Sequence, residues 1–310
     1  MNHQVIAIGA ANVDVLGFTE KPLLMGDSNP GRIETCLGGV SRNVSENLVK
    51  LGVSVSLITA LGTDANGLRI RKECEALGIS LGHSQILPGK NSSSYLAIMD
   101  ERGEMALALS DMSILEELSV NHLMKHQEVL TAAEILVIDA GLTTTVMEWL
   151  VNTYPEKKII LDPVSVGKCR RMKAITGTFY CIKMNRLEAG FLTGINIQGQ
   201  QDLDHAARVL LQSGVQKVYI TLGAEGVYFQ QEGESGRLSV PPLTPVNATG
   251  AGDAFTAAVV LGELKGWSME ETAQFAVAAA AVALMSRHTV SERMSEDSVR
   301  HWIQKHAGKE

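Results

Sequence analysis

Apolar runs of strand length alternate with helix-period segments along almost the whole chain, and this alternation restricts the possible folds more than any other feature. The pattern predicts strands at 5–8, 53–59, 135–139, 159–162, 179–183, 218–222 and 227–230. Helices are expected between them at 42–51, 67–77, 144–152, 202–213, 252–266 and 269–285; in the first, Val44, Leu48 and Leu51 stand at i, i+4 and i+7. Strands built almost wholly of Val, Ile and Leu are buried on both faces, which implies a mostly parallel sheet with helices on each side, an α/β/α sandwich. Right-handed crossovers then place the carboxyl ends of the strands, and a ligand crevice, along one edge. Two segments break the rhythm. Residues 15–37 lack a helix period and hold the turn cluster Gly26-Asp27-Ser28-Asn29-Pro30-Gly31, while 92–110 reads as a hairpin turning at Glu101-Arg102-Gly103. We expect both to form a small β-sheet lid inserted into one domain spanning 1–310.

With 310 residues, 45% hydrophobic and 20% charged, the chain can bury a large core. A net charge of −7 and a pI near 5.7 argue against a nucleic-acid partner but leave room for a small anionic substrate. Cys36, Cys74, Cys169 and Cys181 form no CxxC pair and read as thiols of a reducing compartment. The N-terminus reads as a first strand rather than a signal peptide, and the apolar stretch 276–285 is about half the ~20 residues that span a bilayer, so a cytoplasmic protein is expected. Walker A, protein-kinase, HExxH and GxSxG motifs are absent. His122 and His126, at i and i+4, are expected on an exposed helix face rather than at a metal.

Chemistry concentrates in four places. Asn247-Ala248-Thr249-Gly250-Ala251-Gly252-Asp253 opens a small-residue helix, where glycines admit a ligand to the backbone and the helix start offers unpaired N–H groups to an oxyanion. Asp253, in the first turn, reads either as a dipole-compatible residue or as a general base beside a transferring phosphoryl group. Gly38-Gly39 entering the first crossover helix, with Asn43 after them and Asn12 and Asp14 beyond strand one, form a set suited to sugar hydroxyls. An Asx-type turn is the alternative for Asn12 and Asp14. Asn185 and Glu188 read as a helix cap or as groups near a hydrated Mg²⁺. Thr221, Gly223 and Gly226 belong to a hairpin turn or to a loop against nucleotide phosphates.

In chain order these motifs resemble the ribokinase-like (PfkB) carbohydrate kinases over essentially the whole length. The resemblance implies a Rossmann-like α/β/α sandwich with a β lid, and transfer of the γ-phosphoryl group of ATP to a sugar hydroxyl. It implies that Asp253 is the base and that Gly250, Ala251 and Gly252 form the anion hole. Asn185, Thr221, Gly223 and Gly226 would then line the ATP site, Glu188 would hold Mg²⁺ through water, and Asn12, Asp14, Gly39 and Asn43 would hold the sugar. Asn247 stands where many members carry Asp near a monovalent-cation site, which leaves a K⁺ requirement open. Stretches such as DSNPGRI, NSSSYLAIMDERGEM and LDPVSVGKC are more similar to the members that phosphorylate the 5′-hydroxyl of pseudouridine. By that likeness Ser28, Asn29 and Asp111 are expected to face a nucleoside; Asp111 otherwise caps a helix starting near Ser113. Ribose, another nucleoside or a keto-sugar acid remains an alternative acceptor, and a catalytically silent sugar sensor is the non-enzymatic one. A homodimer through the lid is expected, because an apolar lid face seeks cover.

Overall fold

The computed structural model describes residues 4–247 and 249–306. Its strands, in chain order, are β1 (Val5–Ile8), β2 (Asn12–Thr19), β3 (Gly31–Gly38), β4 (Val55–Ile58), β5 (Ala60–Gly62), β6 (Gln85–Leu87), β7 (Ser94–Met99), β8 (Met105–Asp111), β9 (Ile135–Asp139), β10 (Lys158–Asp162), β11 (Cys181–Asn185), β12 (Lys217–Thr221), β13 (Val227–Gln231) and β14 (Glu234–Leu238). The central sheet has eight strands in the order β14-β13-β12-β11-β10-β9-β1-β4. From β12 to β4 every pairing is parallel, as the apolar runs require, whereas β12-β13-β14 is an antiparallel meander that the sequence pattern did not separate from the rest.

Period-two alternation sorts the sheet's side chains between two cores. Val5, Ala7, Ile135, Val137 and Ile160 pack against the helices Val40–Lys50, Ala251–Lys265 and Met269–Leu284. Ile6, Ile8, Leu136, Ile138 and Leu161 face the helices Thr144–Thr153 and Gln200–Gln212 on the other side. The three expected layers are therefore present.

The lid is a separate sheet of order β3-β2-β7-β8. Both irregular segments contribute to it, but it starts earlier than expected. Asn12 and Asp14 stand in β2 itself and not in a turn closing strand one. Antiparallel register pairs Asp14 with Cys36, and parallel register pairs it with Tyr95, which lies opposite Ser110. Asp14, Tyr95 and Ser110 therefore share one lid face. Val15, Leu96 and Leu109 form a row on the other face, where Ile33, Leu107 and Leu109 are exposed.

β1 has β4 on one side and β9 on the other, so the chain reverses its direction of growth there and opens a crevice at the carboxyl edge. Asp139, the last residue of β9, ties this edge together. Its fully buried carboxylate accepts from Ala10 N (2.7 Å), Ser41 Oγ (2.6 Å), Ser41 N (3.3 Å) and Gly141 N (2.8 Å). It thus joins the loop after β1 to the start of the first crossover helix. Asp139→Ala strands several buried donors and should lower the free energy of unfolding by about 3 kcal/mol, read from urea denaturation.

Candidate active site

The Ala251–Lys265 helix begins at Gly250, whose φ of 87° is left-handed and where a Cβ would stand 1.9 Å from Thr289 O. Only glycine fits, and no side chain caps the helix, so its first N–H groups open onto the crevice. A Cβ on Gly252 would lie 3.2 Å from Lys183 Nζ, which places an ammonium directly behind this helix start. Ala248 lies outside the described residues. Asn247 braces this loop, accepting from Thr249 N (2.9 Å) and donating to Arg287 O (3.2 Å).

Asp253 projects from the helix's first turn, and Asn43 Nδ2 donates to its Oδ2 at 2.8 Å. Burial and the neighbouring Asp162 charge push its carboxyl up to about 7, against the pull of Lys183 and of the Asn43 hydrogen bond. A carboxylate tuned in this way is poised to take a proton near neutral pH.

Behind it sits a second row that the motifs did not single out. Lys183 and Asp162 form a buried ion pair at 2.7 Å, and Thr256 Oγ1 donates to Asp162 Oδ2 at 2.9 Å. Burial pulls the Lys183 ammonium down, but the charges of Asp162, Asp253 and Glu188 outweigh it and hold the pKa above the ordinary lysine value. The sequence carried a signal for this row: Asp139 and Asp162 each end an otherwise apolar strand, and Lys183 interrupts another.

On the acceptor side, Asn12 Nδ2 donates to Asp14 Oδ1 at 2.5 Å. Burial raises the Asp14 carboxyl, with Asn12 and Arg42 pulling against it. Gly39, at φ 97°, lies so close to the loop after β1 that a Cβ would meet Ala10 O at 2.4 Å. Asn12, Asp14, Gly39 and Asn43 thus come together beside Asp253. Ser28 and Asn29 are at an exposed lid turn, where the Asn29 amide bonds to Leu24 N, Leu24 O and Asp27 O. Asp111 ends β8 on the face opposite Asp14, with Oδ1 accepting from Ser113 N and Oγ at 3.2 and 2.7 Å, an Asx turn leading into the 3₁₀ turn Ser113–Glu117.

On the other side of the anion hole lies a cleft of about 680 Å³, bordered by Thr221, Gly223, Gly226 and Gly252, with Val240, Leu243, Phe255 and Val277 supplying apolar wall. The Thr221–Gly226 loop is the hairpin turn between β12 and β13, and Thr221, Gly223 and Gly226 also border this cleft. Asn185 and Glu188 do form a reciprocal capping box on the helix Arg186–Thr193. Asn185 N donates to Glu188 Oε2 at 2.8 Å, and burial raises the buried Glu188 carboxyl against that bond. His122 and His126 are partly buried rather than exposed and stack edge-on, with His83 beside His126. No cluster of three or more His, Cys, Asp or Glu suited to a metal occurs among the described residues.

A crevice at the strand ends with a buried carboxylate, a glycine-opened helix start and an apolar cleft beside it offers the groups that phosphoryl transfer uses. The model of the pfkB family of carbohydrate kinases matches residues 2–295, and the chain belongs to that family. It is 33% identical over 292 residues to the pseudouridine kinase of Escherichia coli (strain K12), covering 94% of this chain and 93% of that one. To the guanosine-inosine kinase of Exiguobacterium acetylicum it is 28% identical over 295 residues, covering 92% and 95%. Among solved structures, Arabidopsis thaliana ribokinase complexed with ribose and ATP superposes with a TM-score of 0.86 at 21% identity, covering 98% of this chain and 99% of that one. No helix among the described residues is long and apolar enough to cross a membrane.

Gly250→Ala should cut turnover by at least about tenfold and lower stability by about 1–3 kcal/mol, because the added methyl must displace the Thr289 carbonyl and open the anion hole. Steady-state kinetics and thermal unfolding on the same preparation check both parts.

Proposed function

We propose that the protein transfers the γ-phosphoryl group of ATP to the 5′-hydroxyl of pseudouridine, giving pseudouridine 5′-phosphate and ADP. The observation that carries this acceptor is the end-to-end likeness to a pseudouridine kinase. The crevice suits the chemistry. Asn12, Asp14 and Asn43 hold the ribose hydroxyls, and the Asp253 oxygen not engaged by Asn43 takes the 5′-hydroxyl proton as the new O–P bond forms. The N–H groups of Ala251 and Gly252, with Lys183 behind them, receive the charge that develops on the transferring group. The cleft beside Thr221, Gly223 and Gly226 has the size and apolar wall for the adenosine of ATP. Glu188, whose Oε2 is engaged by Asn185 N, keeps its other oxygen for a water of Mg²⁺, with Asn185 alongside. When bound, Mg²⁺ neutralises polyphosphate charge.

The base end of the nucleoside would meet the lid face that carries Asp14, Tyr95 and Ser110, with Ser28 and Asn29 at the lid turn beside it, whereas Asp111, on the opposite face and engaged by Ser113, is left to its turn. The exposed Ile33, Leu96, Leu107 and Leu109 on the opposite face suit the lid of a second copy, so we read the active form as a homodimer. Likeness to a guanosine-inosine kinase favours a purine nucleoside as the second reading.

A panel of pseudouridine, uridine, cytidine, guanosine, inosine and ribose, followed by ATP consumption, decides the acceptor. Pseudouridine carries an N–H where uridine has a C–H, so it should lead in kcat/KM by at least about tenfold. Guanosine or inosine in the lead would move the assignment to the purine reading.

The pH dependence follows from Asp253. The base works only when deprotonated, so kcat/KM should rise as pH climbs through about 7 and level off above it. Asp253→Asn should lose that limb and about 10²–10⁴-fold of turnover. The raised pKa makes an ionised Asp253 unfavourable to folding above that pH, so the Asn variant should melt no lower than the parent at pH ~8.

A further inference from the structure

We infer that Arg42 is a positioning residue for the base: held by Glu46, it fixes the Asn43 amide in the orientation that gives an N–H to Asp253 and leaves the other carboxylate oxygen for the acceptor hydroxyl. This rests on the reading of Asp253 as the base.

Arg42 is 6% exposed and Asn43 5%. Arg42 Nη1 donates to Asn43 Oδ1 at 3.0 Å, and Asn43 Nδ2 donates to Asp253 Oδ2 at 2.8 Å. The amide therefore lies between a cation at its oxygen and an anion at its nitrogen. Rotating it by half a turn would set its carbonyl against the carboxylate and its NH₂ against the guanidinium, two repulsive contacts. Arg42 is itself fixed, since Nη2 pairs with Glu46 one helical turn on and Nη1 also approaches Leu37 O at 3.5 Å. Glu46 pairs in turn with Lys50 at 2.9 Å, and Lys50 Nζ donates to Ser291 O at 3.0 Å. Ser291 is two residues beyond Thr289, whose carbonyl abuts Gly250. The ladder thus runs from the base along one face of the Val40–Lys50 helix to the strand of loop that supports the anion hole.

Stability alone does not account for a guanidinium here. Buried ion pairs are often replaced by apolar side chains at no cost, and Arg42 Nε is buried with no hydrogen-bond partner among the described residues. The other charged groups around Asp253 are Asp162 on β10, Lys183 on β11 and Asp139 on β9, none of them on the Arg42 helix. Arg42 also draws the Asp14 carboxyl down against burial, so the same cation acts on the acceptor side.

Removing the guanidinium frees the amide to turn and weakens the hydrogen bond that favours the ionised base. The test is Arg42→Met, which keeps the aliphatic stem, alongside Arg42→Lys, which keeps the charge for Glu46 but lacks the planar fork to hold Asn43 as well. Each variant is titrated by carbon-13 NMR of the Asp253 carboxyl, which needs no turnover, and by the pH profile of kcat/KM with the best acceptor. We expect the Asp253 titration and the acid limb to move up together, by about one pH unit in Arg42→Met and less in Arg42→Lys. Activity should fall about fivefold at pH 7 and return towards the parent's by pH ~9. If Arg42→Met fails to fold, Arg42→Lys carries the test. A purely structural Arg42 would give an unmoved Asp253 titration and a loss of activity equal at every pH, and that result overturns the inference. Absence of kinase activity in the parent with every acceptor would instead overturn the reading of the site as a kinase, while the NMR titration still decides the role of Arg42.

Discussion

Asp162, Asp253 and Glu188 crowd around the buried Lys183 ammonium at the carboxyl edge of the sheet, and Asp139 adds a further negative charge near Asp253. Lys183 is paired directly with Asp162, and Asp139 is occupied by four donors, two from the flanking loops and two from Ser41 at the start of the Val40–Lys50 helix. Asp253 is buried with one amide hydrogen bond, and burial first, then the nearby Asp162 and Asp139 charges, make it hold its proton more tightly than an ordinary carboxyl does. The same desolvation that would be a fault in a structural residue gives this one a proton affinity suited to neutral pH. Moving Lys183 away would push the Asp253 carboxyl higher still, whereas adding a second cation would draw it back towards the ordinary carboxylate range.

Parallel strands make this crowding unavoidable. Each strand in turn ends on the same edge, so Asp139, Asp162 and Lys183 arrive side by side although long crossovers separate them. The glycine-opened helices then bring in the remaining groups. Gly39 lets the Val40–Lys50 helix start against the loop after β1, and Gly250 lets the Ala251–Lys265 helix start against Thr289. Asn43 and Asp253, 210 positions apart, meet because both helices pack on the same face of the sheet.

The lid divides its work by the two-residue period of its strands. One face carries Asp14 with Tyr95 and Ser110, the other an apolar row. A polar face and an apolar, exposed face follow from the same alternation, and a one-residue slip in register would exchange them. Asp111 illustrates the point: it follows Ser110 directly, yet falls on the opposite face and serves the turn after β8.

The sequence by itself determined the sheet, its layers and the motif residues, because burial on both faces writes near-continuous Val, Ile and Leu runs and helix starts at ligands write glycines. Of the two readings it left open for Asn185 and Glu188, the helix cap is present. What it could not determine was everything set by contacts between distant segments. The antiparallel β13 and β14, the start of the lid at Asn12, the Lys183–Asp162 pair and the Arg42–Asn43–Asp253 chain all depend on which strand edge and which helix face end up adjacent. A local pattern records only whether a residue is buried and with what period. The neighbour that a buried charge meets, and so its proton affinity and its role, is decided by the tertiary packing.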